Sequence, residues 1–220
     1  MYRLVLVWII LLAGAWWWFA PNSSRVSMPS ALGDGLACHF VPLQATSIQD
    51  VPLQTTLPLG MKPWRLPHVE ITPLAGFNID AKVLSRENYR FDKVAAVSHV
   101  DLAVGWGPLA EDFTAAQFKF RQKKRYGYYR WKVDMPPSLS QEEIVKSFAN
   151  MHLIPSTISV AHEIAKVKKG DVIHIDGWLV QAKHDNGWLI KSSLSREDTG
   201  VGACEVIWVC NINIQEGIKR

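Results

Sequence analysis

From Leu4 to Ala20 the chain carries no charged residue, and beyond about Pro63 apolar and polar positions trade places mostly at every second residue. The first pattern predicts one apolar helix, about 26 Å long at the usual rise per residue. The second predicts a small sheet. Phe77, Ile79, Ala81 and Val83 alternate with Asn78, Asp80 and Lys82, so residues 77–84 read as a strand with one apolar face. Residues 98–108 are a second apolar run, ending in the turn or bulge signal Gly105-Trp106-Gly107-Pro108. Phe118 and Phe120 alternate with Lys119 and Arg121, and Tyr129, Trp131 and Val133 with Tyr128, Arg130 and Lys132. That is the pattern of two strands joined at Lys123–Arg125.

The 3.6-residue period appears only after Pro136-Pro137. Ser140 and Glu143 form a capping box, each side chain taking one unpaired backbone N–H, which predicts a helix over 141–149 with Ile144 and Phe148 on one face. A second helix follows Pro155, capped by Ser156 or Thr157, with Val160, Ile164 and Val167 on one side and Gly170 at its end. Val172–Ala182 and Trp188–Leu194 then read as a hairpin around Asp185-Asn186-Gly187. Trp178 and Trp188 flank its turn. Ser195–Gly202 is a polar loop, Ala203–Val209 a last strand and Asn211–Arg220 a loose tail. The expected fold is α+β: a small antiparallel sheet or partly open β-barrel of OB or SH3 type, with two short helices and an N-terminal transmembrane helix.

The domain boundaries follow from the same pattern. Residues 1–20 read as a transmembrane anchor or, alternatively, a signal peptide cut near Ala13-Gly14-Ala15. The aromatic cluster Trp16, Trp17, Trp18 and Phe19 suits a headgroup region, and Arg3 keeps the short end in the cytoplasm. Residues 21–60, rich in Pro, Ser, Gln and Thr, read as an extended tether. The domain covers 61–212 and the tail 213–220. This predicts a single-pass inner-membrane protein with its C-terminal domain outside the cytoplasm, its membrane partner met through residues 4–20.

Composition adds little more: 48% hydrophobic and 20% charged residues describe a globular chain, and a net charge of +4 is too weak to argue for nucleic acid. The three cysteines, Cys38, Cys204 and Cys210, cannot all pair within one chain. If 204–210 is one strand, its two cysteines stand about 20 Å apart, so an intrachain bridge must recruit Cys38.

Three stretches, FANMHLIPS (148–156), SSLSREDTGVGACEVIWV (192–209) and DLAVGWGP (101–108), resemble a group of uncharacterised bacterial membrane-anchored proteins over about 73–209. The resemblance implies a bacterial envelope protein and transfers no activity.

Candidate chemistry is sparse. Cys204 follows Thr199-Gly200-Val201-Gly202-Ala203, a loop able to offer backbone N–H groups to an oxyanion. His152 is the candidate base and Asn150 or Asp198 its orienter; the plain alternative is a buried strand cysteine and a histidine at a helix end. Lys119, Arg121, Lys123, Lys124, Arg125, Arg130 and Trp131 form a basic, aromatic stretch suited to anionic lipid or an envelope polymer, or else an ordinary solvated hairpin. Arg196, with Glu197 and Asp198, marks either a recognition loop or a capped turn. A metal site could be assembled from His99, Asp101 and His152, with Cys204 or His174 as the fourth ligand. Without HExxH, CxxC or a phosphate loop, no metal or cofactor is expected. The expected role is therefore non-enzymatic binding or assembly at the membrane with an envelope protein partner, the alternatives being a thiol enzyme and a polyanion binder.

Overall fold

Strand pairing in this chain returns to the strand from which it starts. The computed structural model describes residues 2–19, 35–41, 44–132, 134, 138–195, 197–198, 200 and 202–215. Its elements are α1 (Tyr2–Phe19), α2 (Gly35–His39), β1 (Leu53–Thr55), β2 (Trp64–Leu66), β3 (Val69–Asn88), β4 (Val100–Gly105), α3 (Asp112–Ala116), β5 (Phe118–Lys123) and β6 (Tyr126–Trp131). They continue as α4 (Gln141–Val145), β7 (Phe148–Pro155), α5 (Ile158–Lys166), β8 (Val172–His184), β9 (Leu189–Lys191) and β10 (Glu205–Gln215). The fold is α+β, dominated by an eight-stranded mixed sheet, with β5 and β6 forming a separate two-stranded sheet. β3 pairs with β4, β4 with β7, β7 with β10, β10 with β8, and β8 again with β3. The β7–β10 pair is parallel and the others antiparallel, which corrects the expectation of a purely antiparallel sheet.

Alternation explains the two layers of core. Phe77, Ile79, Met151, Leu153, Ile173, Ile175, Ile207 and Val209 face one cluster, which α5 closes with Val160 and Ile164. Trp178, Val180, Val206 and Trp208 point the opposite way, onto Trp64, Leu66 and Ala37 of α2. Bulges let single strands serve both layers. In β3 the register shifts between Pro73 and Ala75, so odd-numbered Val69 and Ile71 join the outer cluster while Ala75 and Phe77 join the inner one. In β10 the shift falls between Val209 and Asn211, and the intervening Cys210 forms a disulfide with Cys38 of α2.

Several boundaries differ from expectation. The first predicted helix stops at Val145, still with its capping box, because Phe148–Pro155 is a strand in the middle of the sheet. The strand expected over 77–84 runs through Val69–Asn88. The last strand continues to Gln215, into the expected tail, of which 216–220 lie outside the described residues. Of the expected tether, 21–34 and 42–43 are likewise not described, but its later part packs on the domain. The Trp178 indole donates to the Ala37 carbonyl (2.9 Å), Gly107 N–H donates to Ile48 O (2.7 Å) and β1 pairs with β3. On α1, the side chains from Val5 to Leu12 are exposed. Among the described residues no helix is long and apolar enough to cross a membrane.

Candidate functional site

The β5–β6 hairpin turns at Lys124-Arg125, both with positive φ (52° and 71°), a conformation that normally favours Asn or Gly. What holds Arg125 there is its side chain, which folds back over the sheet. Its guanidinium donates to both Asp92 oxygens (2.8 Å each), to Asp101 Oδ1 (2.7 Å) and to the Ser98 carbonyl (2.9 Å). It also stacks on the Tyr89 ring at 3.9 Å. Partial burial works against the Asp92 carboxylate, but the Arg125 bonds outweigh it and keep Asp92 below the ordinary carboxylate range. Arg125, expected on an exposed basic face, is thus an internal anchor.

His152 on β7 stands opposite Asp101 on β4, so the two side chains share a face. His152 Nδ1 approaches Asp101 Oδ2 to 2.9 Å, but off line, so neither atom gains a directed hydrogen bond. The candidate catalytic set divides here. Asn150 is a hub that accepts from Gln122 (2.7 Å) and donates to the Arg125 carbonyl (2.9 Å), with Cys204 Sγ at 3.9 Å. Cys204 in turn points at that same carbonyl. The backbone partner of His152 in β10 is Val206, two residues beyond Cys204, and no hydrogen bond joins His152 to Cys204 among the described residues. Burial, reinforced by the Glu205 carboxylate, pushes the Cys204 thiol up to about 12, so it stays protonated at neutral pH and is a poor nucleophile. Asp198 accepts from Ser193 Oγ (2.6 Å) in a self-bonded turn rather than orienting His152. Thr199, Val201 and Arg196 lie outside the described residues.

A cleft of about 470 Å³ opens between the hairpin, β7 and the loop before β10. Tyr126, Tyr128, Tyr129 and Phe148 line it together with Asn150, Cys204, Asp198 and Gly200. Close packing sets its shape. A Cβ on Gly127 would lie 2.9 Å from Phe148 Cζ and 3.1 Å from Asn150 Cβ, so the hairpin can sit this close only with glycine there.

The outer face of the hairpin carries the remaining cations. Lys119 stands opposite Arg130, Arg121 opposite Tyr128 and Lys123 opposite Tyr126, with Lys124 at the tip. All five cations are exposed, and none forms an ion pair among the described residues. Trp131, expected on this surface, faces inward against Phe118 at 5.5 Å.

One polar cluster escaped the sequence reading. His174 lies between two buried carboxylates, Nδ1 to Asp80 Oδ1 (3.0 Å) and Nε2 to Asp176 Oδ1 (2.8 Å). Asn78 (2.5 Å) and Asn211 (3.0 Å) donate to Asp176, and Thr46 and Gln215 donate to Asp80. The hydrogen bond that His174 donates to Asp176, helped by the charge of both carboxylates against burial, raises the His174 pKa. The available signal was the pairing of two alternating strands, Asn78 and Asp80 against Asp176 and His174. Both ring nitrogens are committed, and among the described residues no group of His, Cys, Asp and Glu is arranged to hold a metal ion. His99 bonds the Tyr89 carbonyl (3.1 Å).

Comparison with protein-family models, with curated proteins and with solved structures finds no match to this chain.

Proposed function

We propose that this is a membrane-anchored bacterial envelope protein whose extracytoplasmic domain is a non-enzymatic binding module of OB type. The observation that carries this reading is the position of the cleft in the strand order. Counting β3, β4, β7, β8 and β10 as strands one to five, the ring runs one, two, three, five, four and back to one, with α5 between the third and fourth. OB barrels bind their ligands on the face of strands two and three and at the loop between four and five. The cleft sits there: Phe148 and Asn150 belong to the third strand, while Asp198, Gly200 and Cys204 belong to the connection between the fourth and fifth. The lining tyrosines come from the hairpin inserted between strands two and three.

Two features support the location. α1 exposes apolar side chains from Val5 to Leu12 in a run that carries no charge from Leu4 to Ala20, the composition of an anchor. The Cys38–Cys210 disulfide suits an oxidising compartment. The test is site-specific photocrosslinking of the full chain in intact membranes, with the reactive residue at Tyr128 in the cleft or at Glu163 on α5. A discrete adduct from Tyr128 and none from Glu163 supports a cleft partner; the same adducts from both positions, or none, removes the reading.

A further inference from the structure

We infer that the outer face of the β5–β6 hairpin is a second contact surface, adjoining the cleft along Tyr126 and Tyr128, and that it docks on the anionic phospholipid headgroups of the membrane to which the chain is anchored. The charge arrangement makes the case. Lys119 and Arg130 are directly opposed across the ribbon, Arg121 and Lys123 follow on the same face, and Lys124 extends the row at the tip. Neighbours on one face of a strand pair stand about 5 Å apart across the ribbon and about 6.6 Å apart along it. Like charges that close repel, and no acidic side chain among the described residues pairs with them.

The ribbon is also held rigid from behind, which a docking face requires. Its inner side packs Phe120 (5.8 Å) and Tyr129 (6.0 Å) against Phe148 of β7, and Arg125 ties its tip to Asp92 and Asp101. Tyr126 and Tyr128 stand in the same face as the cations, and Tyr128 is 43% exposed. An amphipathic ring among cations suits the headgroup layer. Chain length favours a bilayer over a soluble polyanion as the occupant. Residues 20–34 separate α1 from α2, and so short a segment reaches at most about 55 Å when fully extended, which keeps the ribbon near the headgroups at high effective concentration. This last step rests on the anchor proposed above.

The test uses the full chain in nanodiscs of phosphatidylcholine alone or mixed with phosphatidylglycerol, with a fluorescent residue at Tyr126 and a quencher on the lipid headgroups. Quenching should be several-fold stronger in the anionic discs and should fall away in about 1 M salt, where the screening length shrinks to about 3 Å. Lys119→Glu with Arg121→Glu and Arg130→Glu should abolish the difference. The milder set Lys119→Gln, Arg121→Gln and Arg130→Gln should weaken it by roughly fivefold per cation. Equal quenching in both lipids, an undiminished response in both variant sets, or charge-dependent binding of inorganic polyphosphate with no lipid dependence would each overturn the proposal. If the chain enters neither disc, the anchor reading fails by itself. Cosedimentation with vesicles of the same two lipids then decides the hairpin by the same criterion.

Discussion

Arg125 and Asp101 meet at 2.7 Å across two different sheets, the guanidinium at a hairpin tip and the carboxylate wholly buried on β4. Removing the cation strands a buried charge. Arg125→Met should therefore cost about 3–5 kcal/mol and loosen the hairpin. Adding Asp101→Asn to that variant should recover part of the loss, because the stranded charge is gone. Urea unfolding of the two variants and the parent chain measures both effects.

Gly127 offers a gentler way to move the hairpin. Gly127→Ala places a methyl group 2.9 Å from Phe148 Cζ, and the ring must shift. A loss of about 1–3 kcal/mol is expected, together with a weaker Tyr128 crosslink. An unchanged melting temperature and an unchanged crosslink would show that hairpin and β7 are not in close contact.

The His174 cluster gives the domain a pH signature. The folded pKa of His174 is raised above 6.5, so its contribution to stability is complete below 6.5 and disappears as pH rises through the raised value. For Asp176, burial alone would raise the pKa, but its bonds from His174, Asn211 and Asn78 prevail and lower it below 3.8. That contribution is present above 3.8 and is lost as pH falls through the lowered value. The urea midpoint should accordingly decline on the alkaline side, and His174→Gln should flatten that limb specifically.

Cys204 should behave as an inert thiol. With its pKa pushed up to about 12, it should react with a maleimide slowly in the native chain at pH 8 and promptly in denaturant. Cys204→Ser should leave the Tyr128 crosslink intact. Its loss in that variant would restore a functional role for the sulfur.

The disulfide spans 172 residues of sequence and fastens α2 over Trp178 and Trp208. Replacing Cys38 and Cys210 with serine should cost about 2–5 kcal/mol, measured by guanidinium unfolding.

How much of this was legible in the sequence depended on whether a period held. The β5–β6 hairpin, the Ser140–Glu143 capping box and the Thr157 cap were all readable, because each is set by residues close in sequence. The first half of β3 was hidden because Pro73 removes an N–H and the adjacent bulge flips the phase, so no single alternation runs from Val69 to Asn88. β7 was missed altogether: the helix signal of Ser140 and Glu143 was carried through 149, and 150–155 received no strand. The alternation of Ala149, Met151 and Leu153 with Asn150 and His152 was nonetheless present. Spacing required any bridge to recruit Cys38 but left Cys204 and Cys210 open as its partner; the fold selects Cys210. The partnership of Arg125 with Asp101 and of Asn150 with Cys204 did not follow from spacing, since tertiary register alone brings those residues together.

The most direct test of the cleft is to fill it. Ala203 lines the cleft and is part-exposed, so Ala203→Trp should occupy the space without disturbing the core. In intact membranes the adduct formed from a photoreactive residue at Tyr128 should disappear in that variant while the protein remains folded and membrane-bound. An adduct of undiminished yield in the filled variant would contradict the proposal that this cleft is the binding site.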